Sequence, residues 1–70
     1  MVYWGFITAS LDDESPEDFQ FSFGAPVFQT SEDIFDRVEE IFEEIRYTYE
    51  TNYNITLTFI GYRITSIERN

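Results

Sequence analysis

The longest regular pattern in the chain runs from Thr30 to Glu50. Ile34, Val38, Ile41, Ile45 and Tyr49 recur at steps of three and four, and Phe35 and Phe42 widen the stripe. At 100° per residue, all seven fall within about 60° of Val38. The spacing predicts one amphipathic helix of about five turns. Thr30 or Ser31 suits its N-cap, Glu32 and Asp33 suit the positive end of its dipole, and Asn52 suits its stop.

The rest of the chain reads as strands. Val2 to Leu11 is apolar on both faces and suits a central strand. Phe19 to Phe28 alternates, with Phe19, Phe21, Phe23, Ala25 and Val27 on one side and Gln20, Ser22 and Gly24 on the other. Pro26 has no N–H to donate, which places this segment at an edge or makes that residue a strand end. Between the two lies Asp12 to Asp18, five acids in seven residues around Pro16, read as a loop. Asn54 to Ile67 is rich in β-branched residues but carries two conflicting faces. Ile55, Leu57 and Phe59 share one side, while Ile60, Tyr62 and Ile64 share the other. Either a bulge near Gly61 brings them together or the strand has a second buried face.

The order ββαβ predicts a single α+β domain spanning residues 1–70. It is a three-stranded antiparallel sheet in the order 2-1-3 with the helix packed on one face. Strands of ten residues span about 33 Å, and a twenty-residue helix spans about 30 Å, so the lengths match. This topology brings the 12–18 loop and the helix C-terminus to the same end. It leaves the other sheet face open, and Tyr3 and Trp4, adjacent on the first strand, must fall on opposite faces.

Charge changes the picture most. Fourteen acids against four arginines, with no lysine, give a net charge of −10. Phosphate contacts need cations, so direct binding to nucleic acid or to an anionic membrane is not expected. Eight Phe, five Tyr and one Trp distinguish the chain from an acidic disordered tail. No cysteine or histidine is present, which excludes a disulfide framework and thiolate or imidazole metal sites. Met1 to Leu11 has no basic flank and alternates like a strand, so it reads as neither signal peptide nor membrane span, and a cytoplasmic location is expected. Asn54-Ile55-Thr56 forms a glycosylation sequon, read as chance in that setting.

The candidate chemistry lies in the acids. Enzymatic function is not expected: no histidine, cysteine or lysine offers a base or nucleophile, and the carboxylates sit on a convex helix face and a loop. No Gly-rich phosphate loop is present, and no cofactor is implied. Asp12, Asp13, Glu14, Glu17 and Asp18 cluster as hard-cation ligands do, but they lack the alternating spacing and central glycine of an EF-hand, and a solvated turn is the better reading.

The helix face opposite the apolar stripe holds Asp33, Asp36, Glu40 and Glu43 near its centre, with Glu32, Glu39, Glu44 and Glu50 flanking. Arg37 and Arg46 are displaced to the borders. A solubility surface mixes both signs, and this one does not. Glu43, Glu44 and Glu50 also lie toward the negative end of the dipole, where acids are unfavourable. Eight charges over about 28 Å of helix is about one per 3.5 Å, close to the one phosphate per about 3.4 Å of a single DNA strand. Tyr47, in the middle of these acids, could stack on an arginine of a partner.

In charge and size the chain resembles the small acidic DNA mimics with which phages block nucleases, glycosylases, repressors and CRISPR effectors. The resemblance implies a viral anti-restriction or anti-CRISPR type of inhibitor acting on a basic nucleic-acid-binding protein in the host cytoplasm. The expected partner-binding residues are Asp33, Asp36, Glu40, Glu43, Glu44 and Tyr47, with Asp12, Asp13, Glu14, Glu17 and Asp18 of the loop. The competing expectation is an assembly module that homodimerises or docks through an aromatic open sheet face.

Overall fold

A computed structural model describes residues 1–69. The elements are β1 (Val2–Leu11), β2 (Pro16–Gly24), α1 (Ser31–Tyr53) and β3 (Leu57–Glu68). They form an antiparallel sheet in the order β2-β1-β3, with α1 across one face. This is the ββαβ architecture that the hydrophobic pattern predicts.

The core lies between α1 and the sheet. Tyr3, Ile7 and Ala9 of β1, Phe21 and Phe23 of β2, Leu57 of β3, and Val38 and Phe42 of α1 are all buried. Ring stacking orders one end of it: Tyr3 lies parallel to Phe23 with centroids 5.0 Å apart, and Phe23 to Phe21 at 6.2 Å. At the other end Phe19 meets Tyr49 edge-on at 5.5 Å. Tyr3 is thus the core member of the Tyr3–Trp4 pair, and Trp4 lies half-buried on the open face.

Two bulges set the face of β3. The register passes from Thr8↔Gly61 to Ala9↔Phe59, so Ile60 is the extra residue. Leu57, Phe59, Tyr62 and Ile64 thereby all turn toward the helix, as a bulge near Gly61 would require, and Ile60 is left 55% exposed. A second bulge leaves Thr65 unpaired between Trp4↔Ser66 and Gly5↔Ile64. In the sequence it is marked by the step of three from Ile64 to Ile67, which the register places on the same face. Beside it the β3 backbone crowds β1 so closely that a Cβ on Gly5 would overlap the Arg63 carbonyl oxygen and stand 2.9 Å from Phe21 Cζ.

Several boundaries differ from the sequence expectation, among them the start of β3, at Leu57 rather than Asn54. The seven-residue acidic loop contracts to a tight turn, with Asp12 and Asp13 both left-handed (φ 50° and 61°) and the Glu14 N–H donating to the Leu11 carbonyl at 2.9 Å. Consecutive left-handed residues match the twist of a hairpin, and Asp tolerates that conformation better than most residues. Pro16 opens β2, a strand position that needs no N–H, so Glu17 and Asp18 belong to the strand. At its far end β2 stops at Gly24 rather than Phe28.

The helix is longer than expected. Thr30 caps it, its Oγ1 accepting from the Asp33 N–H at 3.1 Å. Its end is Asn54, not Asn52: Asn54 adopts the left-handed conformation (φ 54°), and the next N–H, of Ile55, donates back to the Tyr49 carbonyl at 3.2 Å. Among the described residues, no helix is long and apolar enough to cross a membrane.

Candidate protein-docking face

All fourteen carboxylate side chains are exposed, so none is desolvated as a buried acid or base would be. What distinguishes them is which have cationic neighbours. Among the described residues the ion pairs are Arg46 with Glu43 (2.6 Å) and Glu50 (3.2 Å), and Arg63 with Asp18 (3.0 Å). Arg37 lies instead over the Phe23 ring, 5.1 Å from its centroid, and Arg69 over Phe28 at 5.4 Å. Glu32, Asp33, Asp36, Glu39, Glu40 and Glu44 therefore form a run without a salt-bridged arginine. It covers about 18 Å of helix axis, one charge per about 3 Å.

Tyr47 lies about one turn beyond Glu44 on the same side of the helix and is 69% exposed. The rings that hold the helix end, Tyr49 against Phe19 and Tyr53, lie to its side. Arg46 spans one turn on the border, and its guanidinium is held protonated more firmly than usual, chiefly by its hydrogen bonds to Glu43.

The hairpin acids divide. Asp12 is taken up structurally: its carboxylate accepts from the Thr56 N–H at 3.0 Å, and its own N–H donates to the Thr56 carbonyl at 2.8 Å. These two bonds bring the hairpin to the segment after α1, the shared end that the topology predicts. Asp13 and Glu14 occupy the exposed tip. Glu17 pairs with Ala9 at the sheet edge, on the helix-facing side by register.

Asp18 falls on the other side of the sheet, opposite Thr8. It accepts from Thr8 Oγ1 at 2.6 Å and from Arg63 at 3.0 Å, and these hydrogen bonds, Arg63 first, hold its carboxyl below the ordinary value of 3.8. The expected continuous strip of helix face plus the whole 12–18 segment is therefore corrected. Asp18 turns away from it, and Asp12 is occupied. Among the described residues no group of three acids converges as a metal site would.

The open sheet face holds Trp4 and Phe6, with Arg63 stacked over Phe6 at 4.7 Å. Most of the other aromatic residues go to the core, the helix or the β2–α1 connection. Pattern reading missed a groove on the β3 flank of α1. Phe35, Phe42 and Phe59 line about 200 Å³ there, with Glu39 and Glu43 at its rim. The available signal was the asymmetry of the apolar stripe: Phe35 and Phe42 both widen it on the side toward Glu39. No family model, curated protein or solved structure matches the chain.

Proposed function

We propose that this protein binds the basic nucleic-acid site of another protein, its helix carboxylates standing in for phosphates. The carrying observation is the run Glu32, Asp33, Asp36, Glu39, Glu40 and Glu44, exposed and without a salt-bridged arginine, on one rigid helix at a charge spacing close to that of a nucleic-acid strand. Like charges at i,i+4, as in Asp36/Glu40/Glu44, disfavour the helix itself. A face that lowers the stability of its own element is better explained by what it attracts.

Asp33, Asp36, Glu40, Glu43 and Glu44 would meet lysines and arginines of the partner, and Tyr47 would stack on one of them. Asp13, Glu14 and Glu17 would extend the field at the hairpin end. Long-range attraction of this sign speeds encounter with a basic groove. The role is that of an inhibitor or modulator of the anti-restriction or anti-CRISPR type, acting in the cytoplasm of a host cell.

The assembly-module reading draws less support. Of the open-face rings, Phe6 is already covered by Arg63, and Asp18, Thr8 and Ser22 surround them with polar groups. The test is capture from cell lysate by the tagged protein at low salt, with and without excess duplex DNA. A nucleic-acid-binding protein released by the DNA is the expected result. Capture indifferent to both DNA and salt would overturn the reading.

A further inference from the structure

Phe35, Phe42 and Phe59 bring three rings to the groove beside α1. Phe42 meets Phe59 edge-on at 5.3 Å, and Phe35 leans against Tyr62 at 6.0 Å while remaining 40% exposed. Glu39 and Glu43 stand over the same opening. Both hydrogen bonds from Arg46 to Glu43 fall on Oε2, so Oε1 faces no protein donor among the described residues.

The chemistry of this lining selects its occupant. An anion is repelled by both carboxylates. A purely apolar side chain would fill the groove but partly desolvate two charges without compensating them. A side chain with an apolar stem and a planar cation satisfies both surfaces: the stem and guanidinium face lie on the rings, and the N–H groups reach the carboxylates. The molecule already contains that arrangement. On the open sheet face Arg63 lies over Phe6 at 4.7 Å and donates to Asp18 at 3.0 Å.

We infer that the groove is a pocket for one arginine side chain of the partner protein, anchoring the contact that the acidic face attracts. This deepens the docking proposal and rests on it. Glu39 and Glu43 belong to both the face and the groove, so a basic partner drawn to the helix arrives with arginines beside the opening. The face supplies long-range attraction, and the groove supplies a short-range contact that distinguishes arginine from other cations.

The test is an NMR titration of the isotope-labelled protein with the blocked tripeptide acetyl-Gly-Arg-Gly-amide, against the same peptide carrying neutral citrulline. Saturable shifts centred on Phe35, Glu39, Phe42, Glu43 and Phe59 are expected, with citrulline weaker by about tenfold or more. Phe35→Ala and the pair Glu39→Gln/Glu43→Gln, each checked for an unchanged fold by its own spectrum, should each remove the saturable shifts. Shifts spread evenly over the helix acids, equal response to citrulline, or binding that survives Phe35→Ala would overturn the pocket. The lysate capture separates this failure from that of the wider proposal. If Phe35→Ala captures a DNA-displaceable protein as strongly as wild type, the pocket falls and the docking face stands. If wild type captures none, the docking face falls.

Discussion

The hydroxyl of Tyr3 accepts a hydrogen bond from the backbone N–H of Gln29 at 2.8 Å. It joins the central strand to the residue before the helix cap, 26 positions along the chain. The ring is 1% exposed and stacks on Phe23, so one side chain fills the core and places the start of α1. Tyr3→Phe keeps the ring and leaves a partly buried N–H without its partner, which should cost about 1–2 kcal/mol. Tyr3→Ala should cost about 3–5 kcal/mol. Urea unfolding followed by far-UV circular dichroism measures both.

Gly5 and Gly61 sit on neighbouring strands but predict opposite signs. A Cβ on Gly5 would press into the Arg63 carbonyl oxygen, a backbone atom that cannot rotate away. Gly5→Ala should therefore destabilise by roughly 2 kcal/mol or more through strain. Gly61 has no atom within 4 Å of such a Cβ and no positive φ. Gly61→Ala should be neutral or stabilise by up to about 1 kcal/mol. Equal effects at the two positions would contradict the register of β3.

The Asp18 carboxyl provides a pH test. Its folded value is depressed by Arg63 and Thr8, so its contribution is fully present above the unfolded value and is lost as pH falls through the lower folded one. The group is exposed, and the effect is correspondingly small. Wild type and Asp18→Asn should differ in thermal midpoint near neutral pH and converge in acid. A difference that grows as the pH falls would reverse the assignment.

The acidic face should trade stability against binding. Glu40→Gln removes repulsion from Asp36 and Glu44 and should stabilise the free protein by a few tenths of a kcal/mol. The same substitution should weaken capture of the partner. Raising salt from about 20 mM to about 500 mM should act alike, increasing the thermal midpoint while lowering affinity. Changes of the same sign in stability and capture would indicate a structural rather than a recognition role for the carboxylate.

Much of the fold was legible in the chain because burial on one side imposes a period. The 3.6-residue stripe around Val38 specifies α1 and its buried face, and the alternation of Phe19, Phe21 and Phe23 specifies the inner side of β2. Even the bulge at Ile60 announces itself, since two apolar runs of opposite parity cannot both face one core without an extra residue. Sheet order followed from connection lengths and from the apolarity of β1 on both sides.

Polar segments carry no such period, and there only tertiary packing decided. The extra residue Thr65 is marked only by the step of three from Ile64 to Ile67, a single apolar pair where the Ile60 bulge has two runs. Asp12, Asp13, Pro16 and Asp18 read alike as loop, yet two form the turn and two belong to β2. The partners of Arg63 were equally invisible: it meets Asp18 and Phe6 only because register aligns three strands. Which residues seek the core, and how much negative charge the surface carries, could be read from the chain, because hydrophobic burial and formal charge are properties of residues. Which carboxylate Arg63 takes, and where Phe59 meets Phe35, Phe42, Glu39 and Glu43, came from the fold, because those are relations between different elements.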